Sequence, residues 1–221
     1  MKIIIVQTSA VSSAQLKSLI KEIIPEAAVQ EIIDSSLIDE VVAHTGVTPF
    51  VHRRLATYYA FAQELGADMI LNQCSSVDQV AYDEQANIRI PIVCIDKGMA
   101  VKAVSLGKRI GMVATVASTV KPSLGNLERT AKEQGRDVTI TPYLVDGAME
   151  LLIKTGNVQE HNRMVIGEVE KAARENDVVV LAQGSMDVLM PELTHISKPV
   201  FSSPRIGVEY LRQVAVEKGI L

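Results

Sequence analysis

The chain has 221 residues, enough for one large domain or two small ones. Its formal charge of -4 at pH 7, with no Lys/Arg cluster, excludes an electrostatic surface for nucleic acid. Hydrophobic residues make up 48% and aromatic ones 4%, with no Trp, so Val, Ile and Ala must build the core; that is the composition of parallel strands buried between helices.

The opening run Lys2-Ile3-Ile4-Ile5-Val6 is too short for a signal-peptide core and predicts a first strand with a polar tip, Gln7-Thr8-Ser9. Ser12 or Ser13 is expected to cap a helix over 14–24, where Leu16, Leu19, Ile20 and Ile23 recur at helical spacing and Pro25 ends the pattern. Residues 28–33 read as a second strand, and the mixed stretch 34–43 fixes no element. Thr48-Pro49 has the N-cap and N1 pattern of a helix running to Leu65. Gly66-Ala67-Asp68 then leads into the apolar strand Met69-Ile70-Leu71, and the polarity flips at Asn72-Gln73-Cys74-Ser75-Ser76. Open α/β sheets bind their ligands at the carboxyl ends of strands. A cysteine at such a tip, followed by hydroxyls and the N–H groups of a helix start, suits a thiolate acting beside an anion. The competing reading, a thiol serving as a small hydrophobe, fits Cys94 inside the apolar run 90–95. Between them a helix is read over 77–86, and Asp96 is placed as the cap of a helix to Leu106.

After Gly107 the pattern restarts. A strand over 109–114 meets Thr115, with Ser118 and Thr119 placed ahead of a helix to about Gln134. Next come a strand over 137–143, helices over 146–154 and 158–175, and a strand over 177–181 that meets Ala182-Gln183-Gly184-Ser185. A strand over 198–201 and a helix over 204–218 close the chain. Lys2-Ile3-Ile4-Ile5-Val6-Gln7-Thr8 lies over Arg109-Ile110-Gly111-Met112-Val113-Ala114-Thr115 at an offset of 107. Ala67-Asp68-Met69-Ile70-Leu71 lies over Asn176-Asp177-Val178-Val179-Val180 at 109, and Ile90-Pro91-Ile92-Val93 over Lys198-Pro199-Val200-Phe201 at 108. Three anchors so close to one offset predict an internal duplication. The expected architecture is α/β, with two pseudo-symmetric lobes over 1–96 plus 205–221 and over 97–204, and a ligand at the strand tips between them. In that register Cys74 falls opposite Gln183, Ser76 opposite Ser185 and Thr8 opposite Thr115. One position has a thiol and its counterpart an amide, which cannot act as a general base.

Several functions are excluded by what the sequence lacks. There is no Cys/His cluster with metal-ligand spacing, no glycine-rich phosphate loop and no carboxylate pair of glycosidase type. No apolar run approaches the ~18 residues of a membrane span. Two cysteines on separate strands predict free thiols and a reducing cytosol. His44 and Arg205 are secondary candidates near strand tips. His52, His161 and His195 read as helix-face or surface positions.

Taken together, the residues resemble the aspartate/glutamate/hydantoin racemase superfamily. The likeness is carried by the Thr/Ser tip of the opening strand, by Gly66-Ala67-Asp68 leading to Cys74-Ser75-Ser76, and by Gly107-Lys108-Arg109-Ile110-Gly111 with Ala114-Thr115. It continues in the Asp177 strand and Pro199-Val200. The resemblance implies two flavodoxin-like lobes, mostly parallel sheets flanked by helices, and no cofactor. It also implies a small carboxylate substrate such as an amino acid, whose Cα–H is attacked by one thiolate while a second thiol reprotonates the carbon. Carried over position by position, the carboxylate would be held by Thr8, Ser9, Ser75, Ser76, Thr115, Ser118 and Thr119, with Cys74 as acid/base. The departure is Leu181-Ala182-Gln183-Gly184-Ser185-Met186, where the family would have its second cysteine. A racemase would then need another second acid, such as water held by Gln183 and Ser185. The alternatives are a single-thiol decarboxylase, an isomerase using Cys74 as nucleophile, and a degenerate member that only binds a carboxylate. A homodimer or higher homo-oligomer is compatible with this reading.

Overall fold

In the computed structural model, which describes residues 1–221, the apolar runs at 3–6, 69–71, 110–114 and 178–181 become strands buried on both faces. The first unit contains β1 (Lys2–Gln7), α1 (Ser13–Ile23), β2 (Ala28–Ile33), α2 (Ser36–Ala43) and α3 (Pro49–Glu64). It continues with β3 (Met69–Asn72), a 3-10 turn (Ser75–Val77), α4 (Asp78–Glu84), β4 (Ile92–Cys94) and the start of α5 (Lys97–Leu106). The second contains β5 (Arg109–Ala114), α6 (Ala117–Glu133), β6 (Thr139–Leu144), α7 (Ala148–Thr155) and α8 (Val158–Glu175), then β7 (Val178–Leu181), a 3-10 helix (Gly184–Leu193) and β8 (Val200–Phe201). The closing helix α9 (Ser203–Glu217) runs back into the first unit, and the two compact units are Met1–Gly98 with Pro204–Leu221, and Met99–Ser203.

Each unit holds one four-stranded sheet, ordered β2-β1-β3-β4 and β6-β5-β7-β8, and every pairing is parallel. In β1 the side chains alternate between two cores, as the pleat requires. Ile4 and Val6 pack with Leu37, Val41, Leu55 and Tyr59, whereas Ile3 and Ile5 pack with Leu16, Ile20, Val208 and Leu211. This two-sided burial is why the strand reads as one continuous apolar run.

The duplication extends to the hydrogen-bond register. Ile3 pairs with Met69 in the first sheet and Ile110 with Val178 in the second; Ile70 pairs with Ile92, and Val179 with Val200. A carboxylate clasp repeats as well. Asp68 accepts from the Lys2 N–H at 2.7 Å, and Asp177 accepts from the Lys108 and Arg109 N–H groups at 3.2 and 3.0 Å. The Arg109 guanidinium adds a 2.7 Å contact, and these donors hold the Asp177 carboxyl at about 2.

Some boundaries differ from the sequence reading. Thr48 caps α3 as expected, accepting from the Val51 N–H at 3.3 Å. Neither serine hydroxyl caps α1: Ser12 holds the N-cap position but makes no side-chain capping bond, and the Ser13 hydroxyl accepts from Gln7 Nε2 at 2.7 Å. The unassigned stretch after Asp34 contains α2, and β4 shrinks to three residues behind Pro91, which has no N–H for a ladder. The helix read over 77–86 is instead a 3-10 turn followed by the shorter α4. Ser118 and Thr119 are not ahead of α6 but inside its first turn, because the helix starts at Ala117.

Two substitutions and one pH series test this packing. A Cβ at Gly207 of α9 would lie 2.2 Å from the Ile95 carbonyl oxygen, so Gly207→Ala should cost about 1–3 kcal/mol in urea unfolding. Gly167, in α8 with nothing within 4 Å of its would-be Cβ, should gain up to about 1 kcal/mol as Ala. Because folding lowers the Asp177 pKa, its contribution is full above the ordinary carboxylate range and fades as pH falls towards 2. Asp177→Asn should therefore lower the urea midpoint at pH 7, and the deficit should shrink between pH 4 and pH 2.

Candidate active site

In the first sheet the strand order reverses between β1 and β3, so the two chains leaving their carboxyl ends diverge and open a crevice there. Val6 pairs with Asn72, and the Gln73 N–H still bonds the Val6 carbonyl at 3.0 Å. This last rung sets Thr8 beside Cys74. Cys74 is partly exposed, whereas Thr8, Ser75 and Ser76 are buried at the same tip.

The Cys74 sulfur is hydrogen-bonded by the Thr8 hydroxyl and by both the N–H and the hydroxyl of Ser76. Burial pushes the thiol up and is the largest influence; the Asp78 charge adds to it, and the three hydrogen bonds pull the other way without cancelling it. The net shift is upward, so at neutral pH the group rests as a protonated thiol with donors already in place for a thiolate.

Beneath the tip lies a buried polar chain. Tyr59 on α3 donates to Asn72 Oδ1 at 2.9 Å, and Asn72 Nδ2 donates to Asp78 Oδ1 at 2.7 Å and, more weakly, to the Cys74 carbonyl at 3.4 Å. Asn72 and Tyr59 are fully buried, and Asp78 keeps 3% exposure. The Val77 N–H closes the turn on the Cys74 carbonyl at 3.1 Å. Sequence reasoning missed Tyr59 and Asp78. Tyr59 shares the buried face of α3 with Val51, Leu55 and Ala62 and reads as core, although a buried phenol hydroxyl needs a partner.

The second sheet repeats the geometry with different chemistry. The Ala182 N–H bonds the Val113 carbonyl at 2.9 Å, and Thr115 and Gln183 lie side by side. Gln183 accepts from the Thr115 N–H through Oε1 at 2.9 Å and donates through Nε2 to the Thr115 hydroxyl at 2.9 Å. Both ends of the amide are thus engaged within the lobe. The Met186 N–H closes the turn on the Gln183 carbonyl at 3.0 Å, as Val77 does on Cys74. Ser185 is exposed, Ser118 is half-buried, and Thr119 is buried with its hydroxyl donated to the Val116 carbonyl at 2.8 Å. Ser9 is half-buried in the first lobe and accepts from the Val11 N–H at 3.3 Å.

The secondary candidates go elsewhere. Arg205 meets the Glu22 carboxylate at 2.9 Å on an exposed face. His52 stands between Asp83 and Glu84 at 3.6 and 3.7 Å, and His44 ends α2 against the Glu40 carbonyl. His195 is exposed and pairs with Glu170 at 2.8 Å, which raises its pKa. His161, read as a surface position, is half-buried with its Nε2 shielded from solvent. Cys94 is buried among the apolar residues around Tyr59, and both cysteines are free. No group of three or more His, Cys, Asp and Glu side chains gathers to hold a metal ion. No helix is long and apolar enough to cross a membrane.

No curated protein matches the chain in sequence. Solved structures share its fold. Glutamate racemase isoform RacE1 from Bacillus anthracis superimposes with a TM-score of 0.72 at 16% identity, covering 99% of this chain and 83% of its own. Allantoin racemase from Klebsiella pneumoniae gives 0.71 at 17% identity, with 99% and 89% covered. Glutamate racemase from Francisella tularensis, solved in complex with D-glutamate, gives 0.71 at 11% identity, with 100% and 82% covered. The profile of the family described as Asp/Glu/Hydantoin racemase matches residues 2–211. With that match spanning nearly the whole chain and its paired parallel sheets, the protein belongs to the Asp/Glu/Hydantoin racemase family.

Proposed function

We propose that this protein catalyses cofactor-independent proton transfer at the carbon next to a carboxylate in a small acid, with Cys74 as the thiol acid/base. The observation that carries this reading is the set of three donors, from Thr8 and Ser76, around a partly exposed thiol at the tip of β3. Those donors stabilise the thiolate left when Cys74 gives up its proton. Thr8, Ser9, Ser75 and Ser76 are the residues assigned to the substrate carboxylate in this lobe. Their hydroxyl and N–H groups favour the extra charge of an enediolate over the ground-state acid. In the second lobe the assigned polar residues are Thr115, Ser118, Thr119, Gln183 and Ser185.

A second reading is favoured by the Gln183 amide. No titratable group occupies the position equivalent to Cys74, and the resting thiol is protonated, so a proton is available from one group only. That suits a decarboxylase acting on a malonate-like acid. The bond from Cα to the departing carboxylate breaks, CO2 leaves, and its electron pair forms the enediolate of the remaining carboxylate. Cys74 then protonates Cα, and water restores the thiol.

Incubation in D2O with a panel of amino, hydroxy and malonic acids, followed by NMR, separates the readings. Cys74→Ala should lower Cα deuteration or CO2 release by about 10²–10⁴-fold. Exchange that survives the substitution would remove Cys74 from the mechanism. Inversion would require a second acid, whereas a single stereochemical outcome supports the one-thiol enzyme. Iodoacetamide labelling checks the electrostatics: with Cys94→Ala as background, the Cys74 rate should have its pH midpoint above that of an ordinary thiol. Asp78→Asn, which keeps an acceptor for Asn72, should move that midpoint down.

A further inference from the structure

The sheet of the first unit ends on β2, which pairs with β1 on one side and with no strand on the other. An edge strand turns the backbone groups of alternate residues outward. The Ala28 N–H bonds the Met1 carbonyl at 2.9 Å and the Asp34 N–H bonds the Gln7 carbonyl at 3.0 Å, so the even-numbered positions face β1. The N–H and C=O groups of Val29, Glu31 and Ile33 therefore point away from the sheet. Ile33 is 44% exposed, and neither Pro nor Lys interrupts the six residues of the strand.

The other three sheet edges are blunted. β8 has two residues and β4 has three. The Gln85 side chain also covers the outer side of β4, accepting from the Ile92 N–H at 2.8 Å and donating to the Ile90 carbonyl at 3.1 Å. β6 is the duplicate of β2 and has the same parity. The Thr139 N–H bonds the Lys108 carbonyl at 2.7 Å, and the Val145 N–H bonds the Ala114 carbonyl at 2.8 Å. Its central outward position is Pro142, which has no N–H to offer. Pro142 is in register with Met112 as Glu31 is with Ile5, so the duplicated edge is closed by proline in one sheet and open in the other.

An open edge of this parity is complementary to a second copy of itself. With a twofold axis at Glu31, antiparallel pairing sets the two Glu31 backbones face to face and each Val29 against the other copy's Ile33. All outward groups of the three residues are then used, and the exposed Ile33 gains an apolar cross-strand neighbour. The like charges at the axis are matched within each copy, because the Glu31 carboxylate is held by Lys17 at 2.7 Å and by Gln7 Nε2 at 2.8 Å. Such pairing is isologous, so it closes at two copies.

We infer that β2 is a self-association edge: two copies of this chain pair antiparallel through it about Glu31, joining their sheets. The inference is independent of the chemistry at Cys74. Pairing through a single short strand places the dimer in the class of small, concentration-dependent interfaces.

Sedimentation velocity over about 1–300 µM, with amide hydrogen exchange at low and high concentration, tests this. The wild type should pass from monomer to dimer, and the Val29, Glu31 and Ile33 amides should exchange more slowly in the dimer. Glu31→Pro copies the closure of the second sheet and removes the donors at the axis, so the dissociation constant should rise about tenfold or more. Val29→Pro removes a different outward donor without disturbing Lys17 or Gln7, and should do the same. Neither N–H belongs to the β1 ladder, so both variants should keep their urea midpoints in the monomer range. Glu31→Ala keeps the N–H and should dimerise at least as tightly as the wild type. A wild type that stays monomeric throughout would overturn the inference. So would a dimer that persists undiminished in both proline variants. If a proline variant folds poorly, the wild-type exchange decides: a dimer whose three outward amides exchange as fast as in the monomer would also overturn it.

Discussion

The parallel pairing of the first strand of each lobe with the third is the constraint on which the other features depend. β1 pairs with β3, and β5 with β7, and in each sheet the strand order reverses at that seam. A parallel ladder fixes which residues leave the sheet together. Once Ile3 is set against Met69, Thr8 and Cys74 must emerge as neighbours; once Ile110 is set against Val178, Thr115 and Gln183 must do so. A slip of one residue would turn each strand's side chains to the opposite face, and the buried apolar run tolerates none. The Asp68 and Asp177 clasps hold the other end of the same seam, so both ends of each ladder are pinned.

Within that frame the first lobe has to reconcile a thiol and its polar neighbours with a low-dielectric floor. Desolvation is the larger influence on Cys74, and Asp78, buried close by, adds to it. The Tyr59–Asn72–Asp78 chain keeps this buried polar cluster hydrogen-bonded, without which it would destabilise the lobe. At rest the thiol keeps its proton, and the donors around it offset part of the cost that burial puts on the thiolate.

Much of this was legible in the sequence, for identifiable reasons. Strands buried on both faces leave continuous apolar runs, so β1, β3, β5 and β7 announce themselves, and their repeat at an offset of 107 to 109 exposes the duplication. Thr48-Pro49 names its own helix start because the cap chemistry is local. What was missed is non-local or lies in rotamers. Ser13 has the right type and place for a cap, but the amide of Gln7 claims its hydroxyl from a neighbouring strand. Tyr59 sits 13 residues from Asn72 and looks like core until its hydroxyl is placed. Gln183 could be aligned with Cys74 from sequence, yet its turn towards Thr115 depends on which way a flexible side chain folds.

The two lobes therefore show how a duplicated scaffold supports unequal chemistry. Sheet order, ladder register, the aspartate clasp and the closed turn after the tip are all repeated, and each is a backbone feature or a contact to backbone. The differences lie in side chains at the strand tips, Cys74 beside Thr8 in one lobe and Gln183 bonded to Thr115 in the other. Cys74 packs against the apolar cluster around Tyr59, whereas Gln183 is held by hydrogen bonds to Thr115, and the same backbone pattern accommodates both. Family membership follows from the profile match over residues 2–211, and the two lobes differ in the side chains at their tips. Fold and chemistry are thus separable in this chain: the backbone pattern is duplicated, and the tip side chains are not.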